Sequence, residues 1–98
     1  MGTAYKMREE CPVNIPIQMM AVTDTSGIMN PLRFRLESEE HEIIAVPIKC
    51  VISKGEKNYV GIREKQYICT VEMEKKIRTV EIRYSVDTQK WRIFQFLS

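Results

Sequence analysis

The run Leu32-Arg33-Phe34-Arg35-Leu36 alternates apolar and cationic side chains without a break. In an extended chain successive side chains point to opposite faces. Leu32, Phe34 and Leu36 therefore share one side and both arginines the other, which is the signature of a half-buried strand. The same period of two continues in both directions. Upstream, Ile17–Thr23 reads as a first strand. Asp24-Thr25-Ser26-Gly27 follows as a turn, because the Asp side chain can bond the backbone two residues on and Gly tolerates positive φ.

Downstream, Glu37–Glu42 reads as an acidic turn and Ile43–Ile52 as the most apolar strand, with Ile44, Val46, Ile48, Cys50 and Ile52 on one face. Pro47 has no N–H to give to a ladder, so it predicts an edge or a bulge there. Ser53–Lys65 is the longest connection, with room for a short strand at Asn58–Arg63 broken by Gly61. Gln66–Glu74 places Tyr67, Cys69, Val71 and Met73 together. Ile77–Val86 does the same for Val80, Ile82, Tyr84 and Val86, and Lys90–Leu97 closes the series.

About six strands joined mostly by short turns favour antiparallel neighbours, since a parallel pair needs a long crossover and no stretch is long and amphipathic enough to supply one. The expected fold is all-β: a six-stranded antiparallel meander curled into a small barrel, with a small sandwich as the alternative. Residues 1–14 are expected to form an N-terminal arm and 15–98 a single domain, because Cys11-Pro12 and Ile15-Pro16 stop any helix begun at Ala4–Glu10. The expected core is Leu32, Phe34, Leu36, Ile44, Val46, Ile48, Cys50, Val71, Val80, Ile82, Tyr84, Trp91, Ile93 and Phe94.

Two register expectations follow. A two-residue turn at Thr88-Gln89 sets Val86 against Trp91, Tyr84 against Ile93 and Ile82 against Gln95. Direct pairing of 43–52 with 66–74, about a turn near Tyr59, sets Cys50 against Cys69; folding of 58–63 onto the third strand would separate them. The last strand is apolar on both faces, with Trp91, Ile93 and Leu97 on one and Phe94 and Phe96 on the other. It therefore calls for a cover: the arm, a second sheet, or a second copy of the chain.

The chain has 98 residues, 44% of them hydrophobic and 29% charged, with a net charge of +2. That is an ordinary soluble composition for one domain. No apolar run reaches a membrane span, the first ten residues carry no secretory core, and Lys6 breaks the myristoylation pattern. Three widely spaced cysteines suit reduced thiols and a cytoplasmic protein better than a disulfide framework.

Chemistry-bearing motifs are sparse. His41 is the only histidine and sits among four glutamates, which suits an exposed turn. No C-x-x-C, nucleophile elbow or phosphate loop occurs, and the acidic turn lacks the calcium-loop pattern. No catalytic residue, metal site or cofactor is expected, and the chain reads as a non-enzyme. Charge distribution carries the functional signal. Residues 37–42 hold four acids and no base; residues 43–98 hold eleven bases and six acids. The candidate binding residues are Arg33, Arg35, Tyr59, Arg63, Arg78 and Arg83, with Tyr59 and Tyr67 as candidate stacking platforms. The leading expectation is a small binding or adaptor module for another protein. A single-stranded nucleic-acid binder with a basic and aromatic sheet face, and a homodimer hiding Phe94, Phe96 or the Pro47 edge, are the alternatives.

The arrangement Asp24-x-x-Gly27-x-x-x-Pro31-Leu32-x-Phe34, closed by Lys90-Trp91-x-Ile93, resembles small uncharacterised bacterial all-β proteins over residues 17–97. The resemblance implies an all-β fold and a bacterial cytoplasmic origin, and carries no site residue.

Overall fold

A computed structural model describes residues 12–98. It shows six antiparallel strands in chain order around a closed barrel. They are β1 (Ile15–Thr23), β2 (Met29–Glu37), β3 (Ile43–Tyr59), β4 (Ile62–Met73), β5 (Lys76–Ser85) and β6 (Lys90–Phe96). The barrel is the expected all-β meander; most of the expected arm lies outside the described residues. Where the arm ends, Val13 donates its N–H to the Phe94 carbonyl at 2.7 Å.

Two strands turn the corners. β1 pairs with β6 over Ile15–Ile17 and with β2 over Gln18–Thr23. β3 pairs with β2 up to Pro47 and with β4 from Ile48 onward. Pro47 thus sits on the last β2–β3 rung, where the ladder changes partner and a missing N–H costs least. A closed barrel has no edge, so of the two readings of Pro47 the bulge is the relevant one: the first register shift in β3 follows at once, between Ile48 and Cys50.

The interior is filled by Phe34, Val46, Tyr67, Cys69, Val71, Val80, Ile82 and Ile93, all at 3% exposure or less. Burial of each large side chain contributes about 1.5–3 kcal/mol. Trp91 packs between Tyr67 and Tyr84, with ring centroids 5.6 and 4.8 Å away.

Bulges account for most of the differences from the sequence expectation, because one extra residue reverses the facing of what comes after it. In β2, Ala21 pairs with Pro31 and Met20 with Arg33, so Leu32 is the extra residue and points out. In β3, the extra residue before Cys50 turns Cys50 outward against Thr70 and brings Val51 inward against Cys69. The hairpin is direct, as one of the two expected pairings required, but the cysteines face opposite sides of the wall and both are free. In β6, Ile93 pairs with Ile82 and Gln95 with Glu81, so Phe94 is extra and lies on the outer wall, while Phe96 turns in against the core. Ile44 keeps its inward side but lies toward the barrel end and stays 36% exposed.

The β5–β6 connection is four residues rather than two. Gln89 adopts φ 60° and donates its N–H to the Ser85 carbonyl at 2.8 Å. Trp91 therefore faces Tyr84, not Val86, and Ile93 faces Ile82. An offset of two preserves facing, so Trp91 and Ile93 remain on the inner side. The segment 53–65 is not a loop: β3 and β4 run on as a paired ribbon to a two-residue turn at Val60-Gly61. The Asp24 turn forms as read, with Asp24 Oδ1 accepting the N–H of Ser26 and of Ile28, each at 2.9 Å, and Gly27 at φ 86°.

Candidate functional site: two arginine clusters on opposite walls

Two strands separate β2 from β5 whichever way the ring is followed. Arg33 and Arg35 on β2 therefore lie across the barrel from Arg83 on β5, and the candidate residues do not form one face.

On the β4–β5–β6 wall, alternation sets Glu64, Gln66, Glu81, Arg83, Arg92 and Gln95 outward. Two of these are buried although they lie outside the barrel: Glu64 is 6% and Glu81 3% exposed. Their neighbours enclose them. Arg92 grips Glu64 with two nitrogens, Nη1 to Oε2 at 2.7 Å and Nη2 to Oε1 at 3.2 Å. Arg83 bridges the two acids, Nε to Glu81 Oε2 at 2.8 Å and Nη1 to Glu64 Oε1 at 3.4 Å. Gln66 and Gln95 each donate an amide N–H to Glu81, at 2.8 and 2.9 Å, and the Tyr59 hydroxyl donates to Glu64 at 3.1 Å. The bulged Phe94 carries the Arg83 guanidinium 3.6 Å above its ring, a cation–π contact. The apolar outer side of β6 is thus covered by arginine side chains.

The electrostatics match this geometry. Arg92, by hydrogen bond and charge, outweighs burial and holds the Glu64 carboxyl below the ordinary range. Burial pushes Glu81 up, but hydrogen bonds from Gln95, Gln66 and Arg83 together bring it below the ordinary value. Both acids are ionised and locked at neutral pH, which suits structure rather than proton transfer. Burial, with Cys50 nearby, pushes the Cys69 thiol up to about 11, far from a reactive thiolate. Tyr67 is buried, its hydroxyl donating to the Met29 carbonyl at 3.3 Å, so it is no stacking platform.

The remaining candidates are dispersed. Arg63 lies 3.8 Å from Asp87 on the exposed surface. Arg78 sits over the Phe96 ring at 4.6 Å and donates to the Ser98 carbonyl at 2.7 Å. Tyr59, at the end of β3, is the exception: its hydroxyl and Arg83 Nη1 both donate to Glu64 Oε1, so these two candidates meet.

The β1–β2–β3 wall is different. Register places Gln18, Arg35 and Ala45 in one outward row and Met20, Arg33 and Pro47 in the next. Small or short neighbours beside two long arginines leave a groove of about 480 Å³, lined by Gln18, Met19, Met20, Arg33, Arg35 and Ala45. Arg35 Nη2 donates to Gln18 Oε1 at 2.9 Å. Among the described residues neither arginine has a carboxylate within ion-pair distance. Exposed apolar side chains flank them: Met20 at 51%, Leu32 at 46% and Ile43 at 63%.

Sequence reasoning found Arg33 and Arg35 from alternation alone. It missed Glu64, Glu81 and Arg92 as a unit, because their meeting depends on the β4–β5–β6 register. Among the described residues no three of His, Cys, Asp and Glu converge to hold a metal ion, and no helix is long and apolar enough to cross a membrane. Comparison with family models, curated proteins and solved structures finds no match.

Proposed function

We propose that this protein is a non-enzymatic binding module whose β1–β2–β3 wall receives an acidic protein segment. The observation that carries the reading is the contrast between the two arginine clusters. Arg83 and Arg92 are consumed by Glu64 and Glu81, whereas Arg33 and Arg35 stand beside a groove with no carboxylate partner among the described residues. Guanidinium groups suit carboxylates through paired N–H donors, and the apolar neighbours Met20, Leu32 and Ile43 supply the area that charge alone does not. The wall offers no aromatic platform: its outward rows hold Gln18, Met20, Ala45 and Pro47. Base stacking, the usual source of single-strand affinity, has no partner in those rows. The reading includes a cytoplasmic, reducing location, which three widely spaced cysteines suit better than a disulfide framework would.

Fluorescence anisotropy with a labelled Glu-rich peptide at about 50 mM salt, where surface charges are weakly screened, tests it. Binding is expected, with affinity falling about tenfold or more, ~1.4 kcal/mol, when Arg33 and Arg35 are both replaced by Ala. Binding of a mixed-sequence oligonucleotide through the same two arginines, with none of the peptide, overturns the reading.

A further inference from the structure

The acidic counterpart that this wall requires exists within the chain. Glu37, Glu39, Glu40 and Glu42 surround the β2–β3 turn, at the end of the strand that carries Arg33 and Arg35. The turn is fixed in shape. Ser38 Oγ accepts the N–H of Glu40 at 3.2 Å and of Glu42 at 3.1 Å, and the His41 N–H reaches the Ser38 carbonyl at 2.9 Å. Of these four glutamates, Glu37 has a side-chain partner among the described residues, His41 Nδ1 at 2.8 Å. Glu39, Glu40 and Glu42 are exposed and, among the described residues, face no cation within ion-pair distance.

The two halves of this match do not meet within one barrel. Arg35 leans across to Gln18, and Glu37 leans toward His41. Glu39 lies four residues beyond Arg35, about 13 Å along an extended chain. Two copies remove the difficulty. Stacked wall to wall with strand directions reversed, each copy lays its turn over the other's arginines. A two-fold interface must be self-complementary, with residue i on j and j on i. A strand cationic in its middle and acidic at its end meets that demand, and the exposed Met20, Leu32 and Ile43 lie where such a contact would cover them.

We infer that the β1–β2–β3 wall is the interface of a two-fold homodimer, in which Arg33 and Arg35 of each copy bind the Glu-rich β2–β3 turn of the other. This rests on the reading of the wall as a receptor for an acidic segment and names that segment.

Charge exchange tests it. Sedimentation equilibrium of the full chain should give a two-chain mass at about 50 mM salt, with association about tenfold weaker at about 500 mM, as screening predicts. Arg33→Glu/Arg35→Glu alone and Glu39→Lys/Glu40→Lys alone should each sediment as single chains. Mixed in equal amounts they should recover the two-chain mass, because both contacts of the mixed pair are again opposite in sign. Arg33→Gln/Arg35→Gln serves if a reversed variant loses its Trp91 fluorescence signature, and it too should sediment as a single chain. The inference is overturned if the native chain keeps a single-chain mass up to about 1 mM, or if the altered chains dimerise as the native one does. A single chain that still binds the Glu-rich peptide through Arg33 and Arg35 overturns the dimer and leaves the binding reading standing. A chain that does neither overturns both.

Discussion

Glu64 and Glu81 are the residues on which acid stability turns. Their carboxyls sit below the ordinary value of 4.5 in the folded chain. A depressed folded pKa means that the unfolded chain takes up protons first. The contribution is complete above about 4.5 and is lost as pH falls from there through the lowered folded values. Stability measured by denaturant titration should therefore hold from pH 7 to about 5 and decline as pH falls below about 4.5. Glu64→Gln should cost about 1–3 kcal/mol at pH 7, by leaving Arg92 without its carboxylate and Arg83 with Glu81 alone, and should flatten the acid decline. An unchanged pH profile in that variant would show that the network does not govern acid unfolding. At this scale the sequence was partly readable. Alternation alone turns Arg83 outward, but nothing in the order of residues says that Arg92 and Glu64, 28 positions apart, meet.

The ribbon of β3 and β4 shows what an element reveals that a residue does not. Both of its turn residues have positive φ, Val60 at 49° and Gly61 at 79°. A two-residue turn of that kind favours Asn-Gly, and a β-branched residue in the left-handed region is strained. Val60 gains no packing in return, being 97% exposed. Val60→Asn should raise stability by about 0.5–1 kcal/mol, a fraction of the cost typical of such strain, read as a higher denaturation midpoint with unchanged slope. No gain would mean that the turn relaxes in solution. This ribbon was the least legible element. Its residues include Lys54, Gly55, Glu56, Lys57 and Asn58, a composition that reads as a loop; cross-strand pairing overrides that local preference, as sheet propensity allows. The Asp24 turn was legible because its chemistry is local. Leu32, Cys50 and Phe94 were misread for the opposite reason: a bulge is a property of two strands and leaves no mark on the period of one.

For the whole molecule, the barrel closes at its weakest seam. β1 and β6 pair only through Ile15–Ile93, Pro16–Arg92 and Ile17–Trp91, and one of those six residues is a proline. β4 and β5 pair along ten rungs. Local opening follows such differences. Native-state hydrogen exchange should find the amides of Ile15 and Ile17 protected at least tenfold less than those of Val71, Val80 and Ile82. Equal protection would mean that the barrel opens only by global unfolding. The number of strands and their antiparallel order were legible from turn spacing and period, because short connections leave few topologies. Closure into a small barrel was legible too, because so few strands have few other ways to cover an apolar face; that β1 and β3 are the strands that change partner was not, since it depends on register around the ring.

The ribbon also restricts how this chain can change in length. Its turn occupies two residues and its arms face each other rung by rung, so one inserted residue leaves a mismatch. Adding one residue to each arm presents the tip with its opposite side and exchanges hydrogen-bonded for non-hydrogen-bonded rungs at the turn. Adding two to each arm restores the original presentation about 7 Å farther from the barrel. Descendants of this fold that keep the tip's orientation should therefore differ in this segment by multiples of four residues, while the wall carrying Arg33 and Arg35, at the other end of β3, stays unchanged.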